Sequence, residues 1–263
     1  MFGLAIFVCD ALAQPEQPRL VKPLHQAHAH NDYLHDRPLF DALDRGFASV
    51  EADVFLVDGR LLVAHTVLEL DPERTLEKLY LDPLRERVRA GGGKLFADGT
   101  SLTLLVDLKA DGEATYRALA KTLARYNDIV TVVRDGRLER KPVTVIVSGE
   151  RPRETIAADK VRYVGIDGRL GDLDSKLPGH LLPLISDNWS NHFKWRGEGD
   201  MPPAEKEKLA AIVEQAHAAG RRVRFWAAPD RPTMWRQLRA AGVDLINTDD
   251  LDGLAAFLQA DER

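Results

Sequence analysis

Ser49-Val50-Glu51-Ala52-Asp53-Val54, followed shortly by Leu61-Leu62-Val63-Ala64-His65, carries acids where a buried strand would carry apolar residues. Side chains alternate along a strand, so Glu51 and Asp53 share one face while Val50, Ala52 and Val54 share the other. An edge strand with one face in water would alternate in the same way, but the apolar flanks and the hydrophobic strand that follows argue for burial on both sides. Two carboxylates held side by side near a core repel each other and lose hydration. They therefore require a cation, a shared proton or strong donors. Leu104-Leu105-Val106-Asp107-Leu108-Lys109 repeats the device, with Asp107 and Lys109 on a common face.

Outward from these strands, short apolar runs alternate with amphipathic helical patterns, the mark of a parallel sheet covered by helices. Strands are expected at 24–28, 48–53, 103–108, 143–147, 161–166, 181–185, 222–226 and 244–246. Helices are expected at 38–45, 76–89, 113–126, 153–159, 203–219, 232–241 and 251–259, with Gly46, Gly220 and Gly242 closing three of them. Eight strands with intervening helices read as α/β, a single-domain TIM-type (β/α)8 barrel, although a doubly wound open sheet shares the local pattern. The placement of polar residues favours the barrel. His30, Glu51, Asp53, Asp107, Lys109, Ser148, Asp167, Asp187, Trp226 and Asp249 all fall at or just past the C-terminal ends of expected strands, which in a barrel form one mouth.

A chain of 263 residues that is 44% hydrophobic can bury one large core. With 36 basic against 41 acidic residues and no basic block, nucleic acid is not an expected partner. Residues 1–13, an apolar run ending Ala11-Leu12-Ala13, resemble a secretory signal, although a basic leading segment is missing and Asp10 is close to the cut. Residues 14–22, polar and proline-bearing, read as a linker, and 23–263 as the barrel domain. Cys9 is the sole cysteine, so a cleaved chain would have neither disulfides nor thiol chemistry. The expected location is secreted or periplasmic, the expected state a monomer, and contact with a membrane surface transient.

All-oxygen ligands from Glu51, Asp53 and Asp107 favour a hard divalent cation, Mg2+ or Ca2+, over zinc or copper. Lys109 can offset phosphate charge or hold a ligating carboxylate in place. Four histidines, His25, His28, His30 and His35, crowd the first strand and its loop. His30 opens that loop beside Asn31 and is the expected catalytic imidazole, whereas His28 reads as a packing residue. His65 emerges past its own apolar run. An imidazole titrates near neutrality, so one of the pair can take a proton from an attacking hydroxyl and the other give one to a leaving alkoxide. Ser148, Arg151 and Asp167 are further expected substrate contacts, Arg151 because a guanidinium grips phosphate in two-pronged fashion.

The ordered set His30-Asn31, Glu51-Ala52-Asp53, His65 and Asp107-Leu108-Lys109 resembles the glycerophosphodiester phosphodiesterase superfamily, which includes the sphingomyelinase D-like enzymes and is related in fold to phosphatidylinositol-specific phospholipase C. Arg224-Phe225-Trp226 and the later Gly242-Val243-Asp244 and Thr248-Asp249 are similar to that family's closing strands. The resemblance covers nearly the whole chain after residue 22. It implies a phosphoric diester hydrolase acting on a glycerophosphodiester or phospholipid head group, with His30 and His65 as the acid–base pair. It further implies Glu51, Asp53 and Asp107 as metal ligands, Lys109 as a phosphate contact and Trp226 as a wall of the pocket. The family's usual His-Arg-Gly opening and Pro-Glu-Asn-Thr motif are replaced here by His28-Ala29-His30-Asn31-Asp32-Tyr33, so the head group is not implied with the catalytic set.

Two other readings compete. His28-x-His30 after a first barrel strand also resembles the opening of a zinc amidohydrolase site, with Asp249 as its late aspartate. That class wants histidines where this chain offers Asp167 and Asp187. A secreted barrel that binds a phosphorylated ligand without turning it over is the second. Trp189, His192, Phe193, Lys194 and Trp195 form an aromatic and basic loop that either meets lipid at the mouth or packs on its own tryptophans.

Overall fold

The computed structural model describes residues 20–260. The expected leader at 1–13, and the linker before residue 20, lie outside those residues. In chain order the elements are β1 (Leu24–Ala29), α1 (Phe40–Asp44), β2 (Phe47–Val57), β3 (Arg60–Val63), α2 (Asp82–Ala90), β4 (Leu102–Leu108), α3 (Gly112–Ala124), β5 (Val132–Arg134), β6 (Arg137–Glu139) and β7 (Val143–Gly149). There follow α4 (Arg153–Ala158), β8 (Val161–Arg162), β9 (Val164–Gly168), β10 (Leu184–Asn188), α5 (Trp189–His192), α6 (Pro203–Ala218), β11 (Arg222–Trp226), α7 (Pro232–Ala240), β12 (Leu245–Thr248) and α8 (Leu251–Ala260). Strands β1, β12, β11, β10, β9, β7, β4 and β2 pair in that order, all in parallel, and β2 pairs back to β1. The sheet is a closed eight-stranded barrel, as the sequence predicts.

Register sorts the barrel interior into layers. The pairs Thr103–Thr144, Leu105–Ile146 and Asp107–Ser148 lie side by side on β4 and β7, each two residues above the last. Neighbouring β2 matches them with Ser49, Glu51 and Asp53. The intervening residues Leu104, Val106, Val145 and Val147 face outward into the large core shared with the helices, whereas Leu105, Ile146, Leu184 and Leu245 form a separate apolar cluster inside the barrel. Hydroxyl groups thus occupy the lower end, an apolar cluster with Glu51 beside it the middle, and Asp53 and Asp107 the upper rim. This alternation explains why β2 and β4 read as apolar strands interrupted by acids.

Two strands differ from the expected bounds. The expected 181–185 strand forms at Leu184–Asn188, because Pro183 lacks the N–H that a central strand must donate. The expected 161–166 strand splits. Val161–Arg162 joins β5 and β6 in a small antiparallel sheet, and Val164–Gly168 alone enters the barrel. β2 also runs on past Asp53, because Asp58 and Gly59, both at positive φ (49° and 77°), make a tight turn that folds β3 antiparallel onto it. That hairpin returns the chain to the rim, where Ala64 N–H donates to Asp53 O at 3.2 Å and delivers His65 beside Asp53.

The 189–195 loop is packed. Trp189 is buried and stacks on Phe193 at 4.1 Å, and both meet Phe225 edge-on at 5.4 and 5.6 Å. Trp189 Nε1–H donates to Trp195 O, and Trp195 Nε1–H to Glu198 O. Its tryptophans are therefore structural, and the expectation that they meet lipid gives way to the packed reading. No helix among the described residues is long and apolar enough to cross a membrane.

Candidate active site

Glu51 and Asp53 project from β2 and Asp107 from β4, and one oxygen from each of the three lies within 4.8 Å of the others. Each is held differently. Glu51 accepts from Arg224 Nη2–H at 2.7 Å and lies 3.3 Å from His28 Nε2. Burial opposes its charge, but Arg224, itself buried, and the His28 hydrogen bond together outweigh that and hold Glu51 well below the ordinary carboxylate range. Asp53 gives one oxygen, Oδ2, to Lys109 Nζ at 2.7 Å and Tyr33 Oη at 2.7 Å. Its other oxygen, Oδ1, is buried with no hydrogen-bond partner. Burial raises Asp107, Lys109 (3.4 Å) pulls it down, and the Asp53 and Glu51 charges push it up again. Gly149 keeps room for it: at φ +68° a Cβ there would stand 2.4 Å from Asp107 Oδ1.

These residues fit a hard divalent cation. A buried carboxylate oxygen without a donor is costly, and three converging carboxylates offer more negative charge than Lys109 and Arg224 cancel. The acid cluster of Glu51, Asp53 and Asp107 could bind such an ion.

Both expected catalytic histidines border this cluster. His65 Nδ1 lies 3.1 Å from Asp53 Oδ2 and 3.0 Å from Tyr33 Oη. With a carboxylate to accept from it, Nδ1 carries the proton and Nε2 is left for chemistry. His30 Nδ1 donates to Asp249 Oδ1 at 2.8 Å, which frees its own Nε2. Burial opposes the His30 charge, but Asp249 and then Glu51 outweigh it and raise its pKa. Asp249 is in turn placed by Asp230, which accepts from Thr248 Oγ1–H and from the backbone N–H groups of Asp249 and Asp250. Between the imidazoles, Tyr33 Oη lies 2.8 Å from Asn31 Oδ1, and the Asn31 side chain sits against His30. Asn31 sits at φ 47°, a left-handed conformation that asparagine tolerates, and this turn brings its amide back over the ring before it.

His28 is wholly buried, between Ser49 Oγ (2.7 Å) and Glu51. Burial, then Arg224, lowers its pKa to about 3, so the ring is neutral and accepts from Ser49 while steadying Glu51. It is the packing residue that the sequence suggests. The amidohydrolase reading fails here, because His28 and His30 engage different partners and the metal-competent group found among the described residues is all carboxylate.

The remaining expected contacts lie on the neighbouring strands of the rim. Ser148 Oγ–H donates to Asp167 Oδ2 at 2.8 Å, and Asp167 also takes Ser186 Oγ–H at 2.7 Å and Arg169 Nη1–H at 2.8 Å. Asp167 is fully buried with both oxygens engaged, so it braces the rim and cannot itself reach a substrate, while holding Arg169 at the rim. Arg169 stacks on Trp226 at 4.7 Å, a cation over an indole face. Arg151 Nε and Nη1 have no hydrogen-bond partner, and burial, then the Arg169 charge, lowers its pKa. An unpaired guanidinium beside a second one is a place for an anion. The sequence reading missed Tyr33, Arg224 and Arg169. Arg224 carried a usable signal, since it alternates with Arg222 and Trp226 on β11 as Glu51 does with Asp53 on β2.

A model of the AIM6-like phosphodiesterase domain matches residues 17–92 and 93–167, and one of the glycerophosphoryl diester phosphodiesterase family matches 222–252. Altered inheritance of mitochondria protein 6 of Saccharomyces cerevisiae is 32% identical over 267 residues, covering 85% of this chain and 68% of that protein. A homologue of it in Arthroderma benhamiae is 29% identical over 260 residues, covering 88% and 82%. Among solved structures, a glycerophosphodiester phosphodiesterase from Parabacteroides distasonis superposes with a TM-score of 0.61 at 16% identity, covering 92% of this chain and all (100%) of that one. A calcium-dependent phosphoinositol-specific phospholipase C from a Pseudomonas species follows, with a TM-score of 0.58 at 13% identity over 90% and 96%. These structures share the barrel fold. On the extent of the family-model match and the 32% identity, the chain belongs to the AIM6-like phosphodiesterase domain family.

Proposed function

We propose that the protein hydrolyses a phosphodiester, a glycerophosphodiester or phospholipid head group, with one Mg2+ or Ca2+ held by Glu51, Asp53 and Asp107. The observation that carries this reading is the pair of imidazoles bordering the metal-competent carboxylates, His30 with Nδ1 on Asp249 and His65 with Nδ1 on Asp53. These bonds fix Nδ1 of both imidazoles and leave both Nε2 atoms for proton transfer. Asp249 keeps His30 protonated to higher pH than a free imidazole, which suits it to protonate the leaving alkoxide. His65 then takes the proton of the attacking water or substrate hydroxyl, with Asp53 and Tyr33 steadying the imidazolium that forms. A bound divalent cation would neutralise charge growing on a non-bridging phosphate oxygen. Lys109 holds Asp53 and Asp107 together and adds positive charge on the same side. Asn31, Arg151 and Trp226 contact the rest of the substrate, with Ser148 and Asp167 bracing them.

Bis(p-nitrophenyl) phosphate and glycerophosphocholine, assayed with Mg2+ or Ca2+, test the proposal. Turnover is expected, abolished by chelation. His30→Ala and His65→Ala should each lose about 100-fold or more in kcat with circular dichroism unchanged. Binding without turnover across a panel of phosphodiesters would make the protein a binder instead. Full activity in both histidine variants would remove the acid–base assignment.

A further inference from the structure

At the opposite end of the barrel lies a second cavity, of about 620 Å3, and its chemistry is the reverse of the acid-lined mouth. Its roof is the lowest interior layer, with Thr103 and Thr144 side by side on β4 and β7, and Thr100, Ser101 and Thr131 add hydroxyls around it. The apolar plug of Leu105, Ile146, Leu184 and Leu245 stands between this layer and the rim, so the cavity is separate from the mouth. Its outer wall is the small antiparallel sheet of β5, β6 and β8, which contributes Val133, Leu138 and Arg162, with Arg140 just after β6.

Three arginines converge on this space, Arg140, Arg162 and Arg222, and no carboxylate lines it among the described residues. Their hydrogen bonds go to neutral groups. Arg222 Nη2–H donates to Thr103 Oγ1 at 3.1 Å. Arg162 is buried and bonds the carbonyls of Val164 and His180 and the His180 ring. The carboxylates that these guanidiniums feel, Asp159 and Asp244, are committed elsewhere. Asp159 accepts from Tyr116 Oη–H at 2.6 Å, and Asp244 faces an adjoining cleft and is bonded by His217 Nε2 and the Val223 N–H, each at 2.8 Å. Burial disfavours the Arg222 cation, Asp244 offsets part of that, and the Arg140 charge disfavours it further. Neighbouring guanidiniums whose hydrogen bonds go to neutral groups leave room for an anion, and their planar forks match phosphate oxygens.

We infer that this cavity binds a phosphate-bearing small molecule, its phosphate held by Arg140, Arg162 and Arg222 and its body against the threonines, Leu138 and Val133. The volume suits a ligand of cofactor or metabolite size, and the mixed hydroxyl and aliphatic lining suits a hydroxylated organic phosphate. Binding here needs none of the carboxylates at the mouth.

Calorimetric titration with pyrophosphate, in EDTA so that the mouth holds no cation, tests the assignment. Saturable binding at the lower cavity is expected. Arg140→Met and Arg222→Met should each weaken it by about tenfold or more, whereas Lys109→Met and Arg151→Met at the mouth should leave it unchanged. Arg140 is exposed, so its variant remains informative even if Arg222→Met fails to fold. No saturation at millimolar pyrophosphate would overturn the inference, as would unchanged affinity in Arg140→Met, or loss of binding only in the mouth variants. Citrate binding more tightly than pyrophosphate would overturn the assignment to phosphates.

Discussion

Tyr33 was invisible as a site residue because a lone tyrosine in a turn carries no chemical signature, yet its hydroxyl is where Asn31, Asp53 and His65 meet. Burial and then Asp53 push its ionisation far above the ordinary phenol range, so it serves as a donor and never as a base. Tyr33→Phe should leave the fold intact, lower kcat about tenfold and change KM little, because it loosens His65 without touching substrate; an unchanged kcat would show that Tyr33 does not position His65. The next residue back sets a second test. Asp32 is buried, accepts from Leu39 N–H at 2.6 Å and Tyr80 Oη–H at 2.8 Å through one oxygen, and has no partner for the other. Burial outweighs both donors and raises its pKa to about 6 from 3.8. Between those values the folded protein binds more protons than the unfolded chain, so this group's contribution to stability is full below about pH 4 and is lost as pH rises through about 6. Asp32→Asn keeps both acceptor bonds and removes the charge. It should therefore be more stable than the parent at pH 7.5, by up to about 3 kcal/mol, with the advantage shrinking toward pH 4.5 in urea titrations. A parent more stable than the variant at pH 7.5 would show that Asp32 has a counter-charge.

At the scale of elements, alternation did most of the work in reading this sequence and was also where the reading stopped short. On β2 and β4 it located Glu51, Asp53 and Asp107, because acids in an apolar strand are conspicuous. On β11 the same period places Arg222, Arg224 and Trp226 inside the barrel, but arginine is common on solvated strands and Arg224 was read only as part of a closing strand. Only the closed sheet shows that Arg224 reaches Glu51 from the far side, at 2.7 Å, while its Nε–H holds Asn247 Oδ1 at 2.8 Å. Both members of that pair are buried, so removing one leaves an uncompensated charge. Arg224→Met should cost about 3–5 kcal/mol in urea unfolding, and adding Glu51→Gln should recover part of it, since the stranded charge goes with the carboxylate. A double variant as unstable as the sum of the two singles would mean that Arg224 acts through packing alone. The 161–166 segment was misread for a different reason. Its apolar pattern is the same whether it pairs in the barrel or in the outer sheet, and only the β5–β6 hairpin decides which residues are drawn away.

Over the whole molecule, the legible part was whatever repeats: apolar strands alternating with helices round a closed eight-stranded sheet whose polar ends meet at one rim. The arginine-lined cavity at the other end was not legible, because Arg140, Arg162 and Arg222 come from three distant segments and converge only when the barrel closes. The rim itself makes a prediction about the molecule as a unit. Without a counter-ion, burial and the neighbouring Asp53 and Glu51 charges raise Asp107, which means that the folded barrel carries repulsion the unfolded chain lacks. An ion that binds the three carboxylates relieves that repulsion and binds only the folded state, so it must raise the melting temperature. At a hundredfold excess over its dissociation constant the gain is about 2.7 kcal/mol, which for a domain of this size corresponds to roughly 5–10 °C. Scanning calorimetry with Mg2+ or Ca2+ should show that rise and EDTA should reverse it, whereas Asp53→Asn and Asp107→Asn should melt at one temperature with and without the ion. Equal melting of the parent in EDTA and in saturating Mg2+ and Ca2+ would mean that Lys109 and Arg224 already satisfy the cluster, and that the acids at this rim hold no metal.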